Sequence, residues 1–130
     1  MIGRILVVDD ERSIRDILAQ VLGYEGYEVA TAASGGEALT TYRARPFDLV
    51  ILDVKMQGID GLDTLAQLRQ HDDGVRVVMI SGHATIATAV QAVKQGAFDF
   101  LEKPLDSDRL LVTVKRALEH RRLEGENARL

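Results

Sequence analysis

An α/β domain, with a parallel sheet covered by helices on both faces, is the fold class this sequence predicts. Two features point to it. Five short apolar runs alternate with five segments of helical periodicity, in the order βαβαβαβαβα, which favours crossover connections between parallel strands. Runs that are apolar throughout rather than alternating with polar residues, Ile5 to Val8 and Leu49 to Leu52, are as expected of strands buried on both faces.

The first strand spans Ile5 to Val8 and stops at Asp9-Asp10. Ser13 to Leu22 then carries Ile14, Ile17, Leu18, Val21 and Leu22 at helical spacing, ended by the region of Gly23 and Gly26. Tyr27 to Ala32 is the second strand. Ser34 can cap a second helix, and Glu37, three residues on, makes a capping box with it. Leu49 to Leu52 is the third strand, closed by Asp53; Leu62, Leu65 and Leu68 stripe the third helix. Val75 to Ile80 is the fourth strand, closed by Ser81-Gly82, and Ala84 to Lys94 the fourth helix, stopped by Gly96. Ala97 to Leu101 is the fifth strand, closed by Glu102-Lys103-Pro104. Asp106 or Ser107 opens the fifth helix, which runs through Leu110, Leu111, Val114 and Leu118.

The 130 residues fit one domain, with residues 1–120 forming it and residues 121–130 a separate tail. In the tail Leu123 and Leu130 lie seven apart among glutamates and arginines. That pattern fits a coiled-coil start, a frayed helix or a linker equally. Hydrophobic residues at 46% and charged residues at 28% suit a globular domain with a real core. No apolar run approaches the roughly 20 residues that cross a bilayer, and the start lacks the apolar region and cleavage site of a signal peptide. With no cysteine, disulfides and thiolate metal sites are excluded; the expectation is a cytoplasmic protein. A net charge of −4 leaves no electrostatic footprint for nucleic acid, so DNA contacts belong to another domain.

The chemistry gathers where ligands bind in a doubly wound sheet, beyond the carboxyl ends of the strands. Strand 1 ends in Asp9 and Asp10, strand 3 in Asp53, strand 4 in Ser81 and strand 5 in Lys103. Packed carboxylates repel and need a cation. Their oxygens suit a hard divalent ion, Mg²⁺ where water or phosphate completes the octahedron. The absence of histidine and cysteine from the cluster argues against zinc. A carboxylate is a competent nucleophile toward a phosphoryl donor and gives an acyl phosphate. Lys103 offers a second positive charge, and Ser81 a hydroxyl for a phosphoryl oxygen.

Five motifs then stand in sequence order: Val7-Val8-Asp9-Asp10-Glu11, Leu52-Asp53-Val54-Lys55-Met56, Gly58-Ile59-Asp60-Gly61, Ser81-Gly82-His83 and Glu102-Lys103-Pro104-Leu105. Together they resemble the receiver domains of two-component response regulators over about residues 4 to 120. The resemblance implies a flavodoxin-like (CheY-like) doubly wound five-stranded parallel sheet of order 2-1-3-4-5 with five helices. It implies Asp53 as phosphoacceptor, Asp10 as direct Mg²⁺ ligand, Asp9 as a ligand mainly through water, and the Lys55 backbone carbonyl as the third protein ligand. It also implies Ser81 as switch hydroxyl, Lys103 as phosphate sensor, Phe100 as aromatic switch and a cis Lys103-Pro104 bond. The donor would be a sensor histidine kinase. The domain would catalyse only its own phosphoryl transfer and dephosphorylation. The switched surface would be the fourth helix, fifth strand and fifth helix, with Ala89, Val90 and Val93 changing exposure and a homodimer forming through the same face. Where the family has proline after the methionine that follows the acceptor, this chain has Gln57, which leaves that loop less stiff.

The segments Ser81 to Val90 and Lys94 to Leu105, and the ending Glu126-Asn127-Ala128-Arg129-Leu130, are similar to the nitrogen-regulation (NtrC/NtrX-like) class of transcriptional activators. There the ending leads into an ATPase output module. Outside the motifs, Gly61 reads as a turn or helix-start residue. His71 and His120 read as surface residues, and His83, with Lys55, as a flank to an acyl phosphate or simply exposed. Two other chemistries share parts of the pattern. A Mg²⁺-dependent aspartyl-phosphate hydrolase would place Asp-x-Asp after strand 1, whereas the acids here are adjacent. A flavin-binding flavodoxin would need a hydroxyl- and glycine-rich phosphate loop there, and Asp9-Asp10-Glu11 would repel phosphate. A receiver used only for docking would not need the full set of five site residues.

Overall fold

The structure is a computed structural model that describes residues 3–56, 58–82 and 85–128, from 121 onward as backbone alone. Strands β1 (Arg4–Val8), β2 (Glu28–Ala32), β3 (Leu49–Asp53), β4 (Val77–Ser81) and β5 (Asp99–Glu102) alternate with helices α1 (Arg12–Tyr24), α2 (Gly35–Ala44), α3 (Gly61–His71), α4 (Ile86–Lys94) and α5 (Ser107–Ala128). All pairings are parallel, and the sheet order is β2-β1-β3-β4-β5.

Alternation within the central strands divides the core in two. Leu6, Val8, Val50, Leu52, Val77 and Met79 face one side, where Leu39, Tyr42, Leu65, Leu68 and Ala92 of α2, α3 and α4 cover them. Ile5, Val7, Leu49, Ile51, Val78 and Ile80 face the other, under Leu18 and Leu22 of α1 and Leu110, Val114 and Ala117 of α5. Every residue of β3 and β4 is buried, so the uniformly apolar runs had the meaning expected of them. Ile17 departs from its predicted place in the α1 stripe. It is 55% exposed, because Leu18 and Leu22 one turn apart already define the buried face.

Strands 2, 4 and 5 start later than their apolar runs. The reason is hydrogen bonding at the preceding helix ends. The Tyr27 N–H donates to the Leu22 carbonyl and the Ala97 N–H to the Ala92 carbonyl, so neither can enter the ladder. Gly96, at φ 101°, supplies the left-handed residue that turns the chain after α4. The Val75 N–H is likewise used by the Asp72 carbonyl. Helix starts are capped by side chains: Ser34, Asp60 and Thr85 accept from the N–H groups of Glu37, Asp63 and Thr88. The Glu37 carboxylate reaches past Ser34 to accept from the Ala33 N–H at 3.1 Å, a capping box shifted by one residue. Asp106 lies just outside α5 and accepts from the Asp108 N–H at 2.9 Å. Helix α5 then runs without interruption from Ser107 to Ala128.

Leu68 is 1% exposed and fills the cluster beneath α2 and α3. Leu68→Ala is expected to cost about 2–5 kcal/mol in urea denaturation. Ile17→Ala should stay within about 0.5 kcal/mol; equal losses would contradict the burial pattern.

Candidate functional site

Parallel strands all deliver their carboxyl ends to one edge of the sheet, and β1, β3, β4 and β5 end there in Asp9, Asp53, Ser81 and Glu102-Lys103. The ladder pairs Val8 with Leu52 and Ser81 with Glu102, which brings residues far apart in sequence into one pocket. Asp9, Asp10 and Asp53 each offer a carboxylate oxygen, and these oxygens lie within 4.8 Å of one another. Asp9 and Asp53 are buried and Asp10 is exposed. An oxygen-only trio of this kind, open on one side, fits a hard divalent cation such as Mg²⁺.

Lys103 is the counter-charge. Its Nζ stands 2.8 Å from Asp9 Oδ2 and 3.4 Å from Asp53 Oδ2. Burial works against its charge, but the hydrogen bond to Asp9 and the charges of both acids outweigh it and raise its pKa. One ammonium does not fully balance the acids. Burial and the charge of Asp9 push the Asp53 pKa up to about 6, against the opposing pull of Lys103 and of the Lys55 backbone. The carboxyl at the end of β3 is thus poised near neutrality.

Asp9 is held on every polar group. Its N–H donates to the Ala32 carbonyl at 3.2 Å, and its carbonyl accepts from Arg15 Nη1 at 2.8 Å. Its Oδ1 accepts from the Glu11 N–H at 2.9 Å, and its Oδ2 from Lys103. Ser81 is buried, and its carbonyl accepts from the Lys103 N–H at 2.8 Å. Phe100 is half-buried and packs against the cluster beneath α4. The Lys103–Pro104 bond is cis. Gln57 and His83 lie outside the described residues. His71 and His120 are exposed as expected, yet His120 Nδ1 accepts from Arg76 Nε at 2.9 Å.

Two contributors escaped the sequence reading. Arg15 carried no motif. Gly61 was read as a turn or helix-start residue and does open α3, but its steric part went unseen: a Cβ there would run into the Asp53 carbonyl and crowd the Val54 Cα at 2.7 Å. The Gly61 N–H donates to the Val54 carbonyl at 2.8 Å. The start of α3 therefore sits directly on the main chain of the acidic strand end.

This arrangement, a CheY-like parallel sheet with an acid trio and a lysine at its carboxyl edge, defines a receiver-type signalling domain. Residues 5–115 match the response regulator receiver domain, and the chain belongs to that family. The nitrogen assimilation regulatory protein NtrX of Azorhizobium caulinodans is 48% identical over 124 residues, covering 94% of this chain and 27% of that protein. A crystal structure of NtrX from Brucella abortus superposes with a TM-score of 0.93 at 45% identity, covering 98% of this chain and 30% of that one. The receiver domain of the same protein, solved alone, gives a TM-score of 0.85 at 48% identity and covers 88% of this chain and 98% of that one. The chain therefore spans 27% of the length of this curated relative.

Two outcomes follow from the geometry. Gly61→Ala should displace the strand end and destabilise the fold by about 1–3 kcal/mol, with the largest amide shifts at Asp53 and Val54; an unperturbed Asp53 amide would count against the close approach. Asp53 carries a pKa of about 6 in place of 3.8. The folded state is therefore favoured while Asp53 keeps its proton and is penalised as pH rises through about 6. With a chelator present, Asp53→Asn should gain stability over the parent, more at about pH 7.5 than at about pH 5, as read by urea denaturation. A gain independent of pH would contradict this assignment.

Proposed function

We propose that this domain accepts a phosphoryl group from a sensor histidine kinase on Asp53, with Mg²⁺ bound, and thereby switches the face formed by α4, β5 and α5. The observation that carries the reading is the placement of Asp53, buried beside Asp9 and Asp10 and touched by Lys103. Asp9, Asp10, Asp53 and the main-chain carbonyl of Lys55 would hold the ion. When bound, it supplies positive charge that shields the carboxylate from an anionic donor and steadies the equatorial oxygens in transfer.

The nucleophile is a carboxylate oxygen of Asp53, ionised in most molecules at neutral pH. It attacks phosphorus as the bond from phosphorus to the donor's imidazole nitrogen breaks, and the electron pair leaves with that ring. The product is an acyl phosphate. Lys103, already within reach of Asp53 Oδ2, exchanges its carboxylate partners for a phosphoryl oxygen, and the Ser81 hydroxyl donates to another. Movement of the Ser81 end of β4 opens room for Phe100, across the ladder from Met79, to turn inward.

The switched face has apolar surface available. Ile86, Val90 and Val93 line the outer side of α4 at helical spacing, Ile86 at 86% and Val93 at 57% exposed, and Val112 is exposed on α5. Ala89 is half-buried. This face serves a homodimer, and the end of α5, which runs to Ala128, leads toward an output module that controls transcription. The name of the relative, a nitrogen assimilation regulatory protein, supports that output. Among the described residues no helix is long and apolar enough to cross a membrane, and the domain acts in the cytoplasm without touching DNA itself, in keeping with its net charge of −4.

Incubation with a small phosphodonor and Mg²⁺, followed by borohydride trapping and peptide mapping, should place one label on Asp53. Chelation should slow labelling by on the order of 10²–10³-fold, the rate equivalent of several kcal/mol, and Asp53→Asn should abolish it. A label that persists in full in Asp53→Asn sinks the assignment.

A further inference from the structure

The metal-binding acids do not hold their places unaided. Glu11 is the N-cap of α1, yet its side chain makes no capping hydrogen bond. The turn from β1 into α1 is organised instead by Asp9 and Arg15. The Asp9 carboxylate accepts from the Glu11 N–H. Arg15, one turn into the helix, sends its guanidinium back to the Asp9 carbonyl at 2.8 Å, while its own N–H bonds the Glu11 carbonyl at 3.2 Å. A peptide unit is planar, so the Arg15 bond to the Asp9 carbonyl and the Asp9 carboxylate's bond to the Glu11 N–H fix the two peptide planes that flank Asp10, and together these set the direction of its Cα–Cβ bond. Asp10 needs this support. It is exposed, and among the described residues no hydrogen bond or ion pair restrains its carboxylate.

We infer that Arg15 is a positioning residue for divalent-cation binding: it clamps the Asp9–Asp10 peptide so that the Asp10 carboxylate is pre-aimed at the ion. The inference rests on the metal reading given above. Arg15 touches neither the ion nor the phosphoryl group; it acts through the main chain. Its loss therefore weakens the ion's hold without removing a ligand, the behaviour of an outer-sphere contact. It leaves Asp53 and Lys103, and hence transfer at saturating metal, unchanged.

The test uses Mn²⁺ as the probe ion on the intact 130-residue chain, with free Mn²⁺ read by electron paramagnetic resonance. Arg15→Ala should raise the Kd for Mn²⁺ by about tenfold, with the maximal rate of Asp53 labelling at saturating metal within about twofold of the parent. Arg15→Lys, which keeps a cationic donor on a shorter arm, should recover part of the lost affinity. A purely structural role would move the denaturation midpoint and leave the split between affinity and maximal rate unmoved. Parent-like Mn²⁺ affinity in Arg15→Ala, or in Arg15→Gln should the alanine variant fail to fold, overturns the role of Arg15. Failure of the parent chain itself to bind Mn²⁺ instead rejects the metal reading, and the inference falls with it.

Discussion

The contact of the Lys103 ammonium with Asp9 and Asp53 holds the carboxyl edge together. Two buried carboxylates side by side are unfavourable in a folded protein, and here the neighbouring strands β1 and β3 end in them. A lysine 94 residues away from Asp9 in sequence supplies the charge that makes the juxtaposition tolerable. Its balance is incomplete: burial and the charge of Asp9 still hold the Asp53 pKa above the ordinary carboxylate value against the pull of Lys103. A divalent cation at the acid trio would relieve that residual charge. Stability and function draw on the core differently: two apolar clusters, one on each side of the sheet, carry an edge that contributes repulsion.

Much of this was legible in the sequence because the fold repeats one simple pattern. Apolar runs buried on both faces announce a parallel sheet, and an acid directly after such a run can only fall at its carboxyl edge. Asp9, Asp53, Ser81 and Lys103 were therefore assignable to one region before any coordinates. Strand starts were less legible, since an apolar residue such as Tyr27 or Ala97 looks like a strand residue while its N–H is committed to the helix before it. Hydrophobic pattern reports burial; it does not report which hydrogen bond a given N–H makes.

Contacts through the main chain were invisible for a related reason. Arg15 meets a carbonyl, and every residue has one, so no residue type marks its partner. Gly61 is defined by what it lacks: the Asp53 carbonyl and Val54 Cα occupy the space of a side chain. Spacing and residue type find groups that do chemistry. They find supporting groups only when the support is itself a side-chain signature, as with Ser34 and Glu37 at the start of α2.

The geometry also limits how a change at Asp53 can travel. Lys103 follows β5 directly and donates its N–H to the Ser81 carbonyl at the end of β4, so its side chain and the two strand ends form one mechanical unit. Phe100 lies three residues before Lys103 on β5 and faces the cluster under α4. A shift of the Lys103 side chain from Asp9 toward Asp53 would therefore load β4 and β5 before it loads β1, whose end is pinned at Asp9 by Ala32, Glu11 and Arg15. The edge is asymmetric: hydrogen-bonded on several sides where the ion would be held, and bordered on its far side by α4, which leaves Ile86, Val90 and Val93 exposed. A site with that asymmetry can keep its ligands fixed while its far side moves, which a uniformly rigid edge could not do.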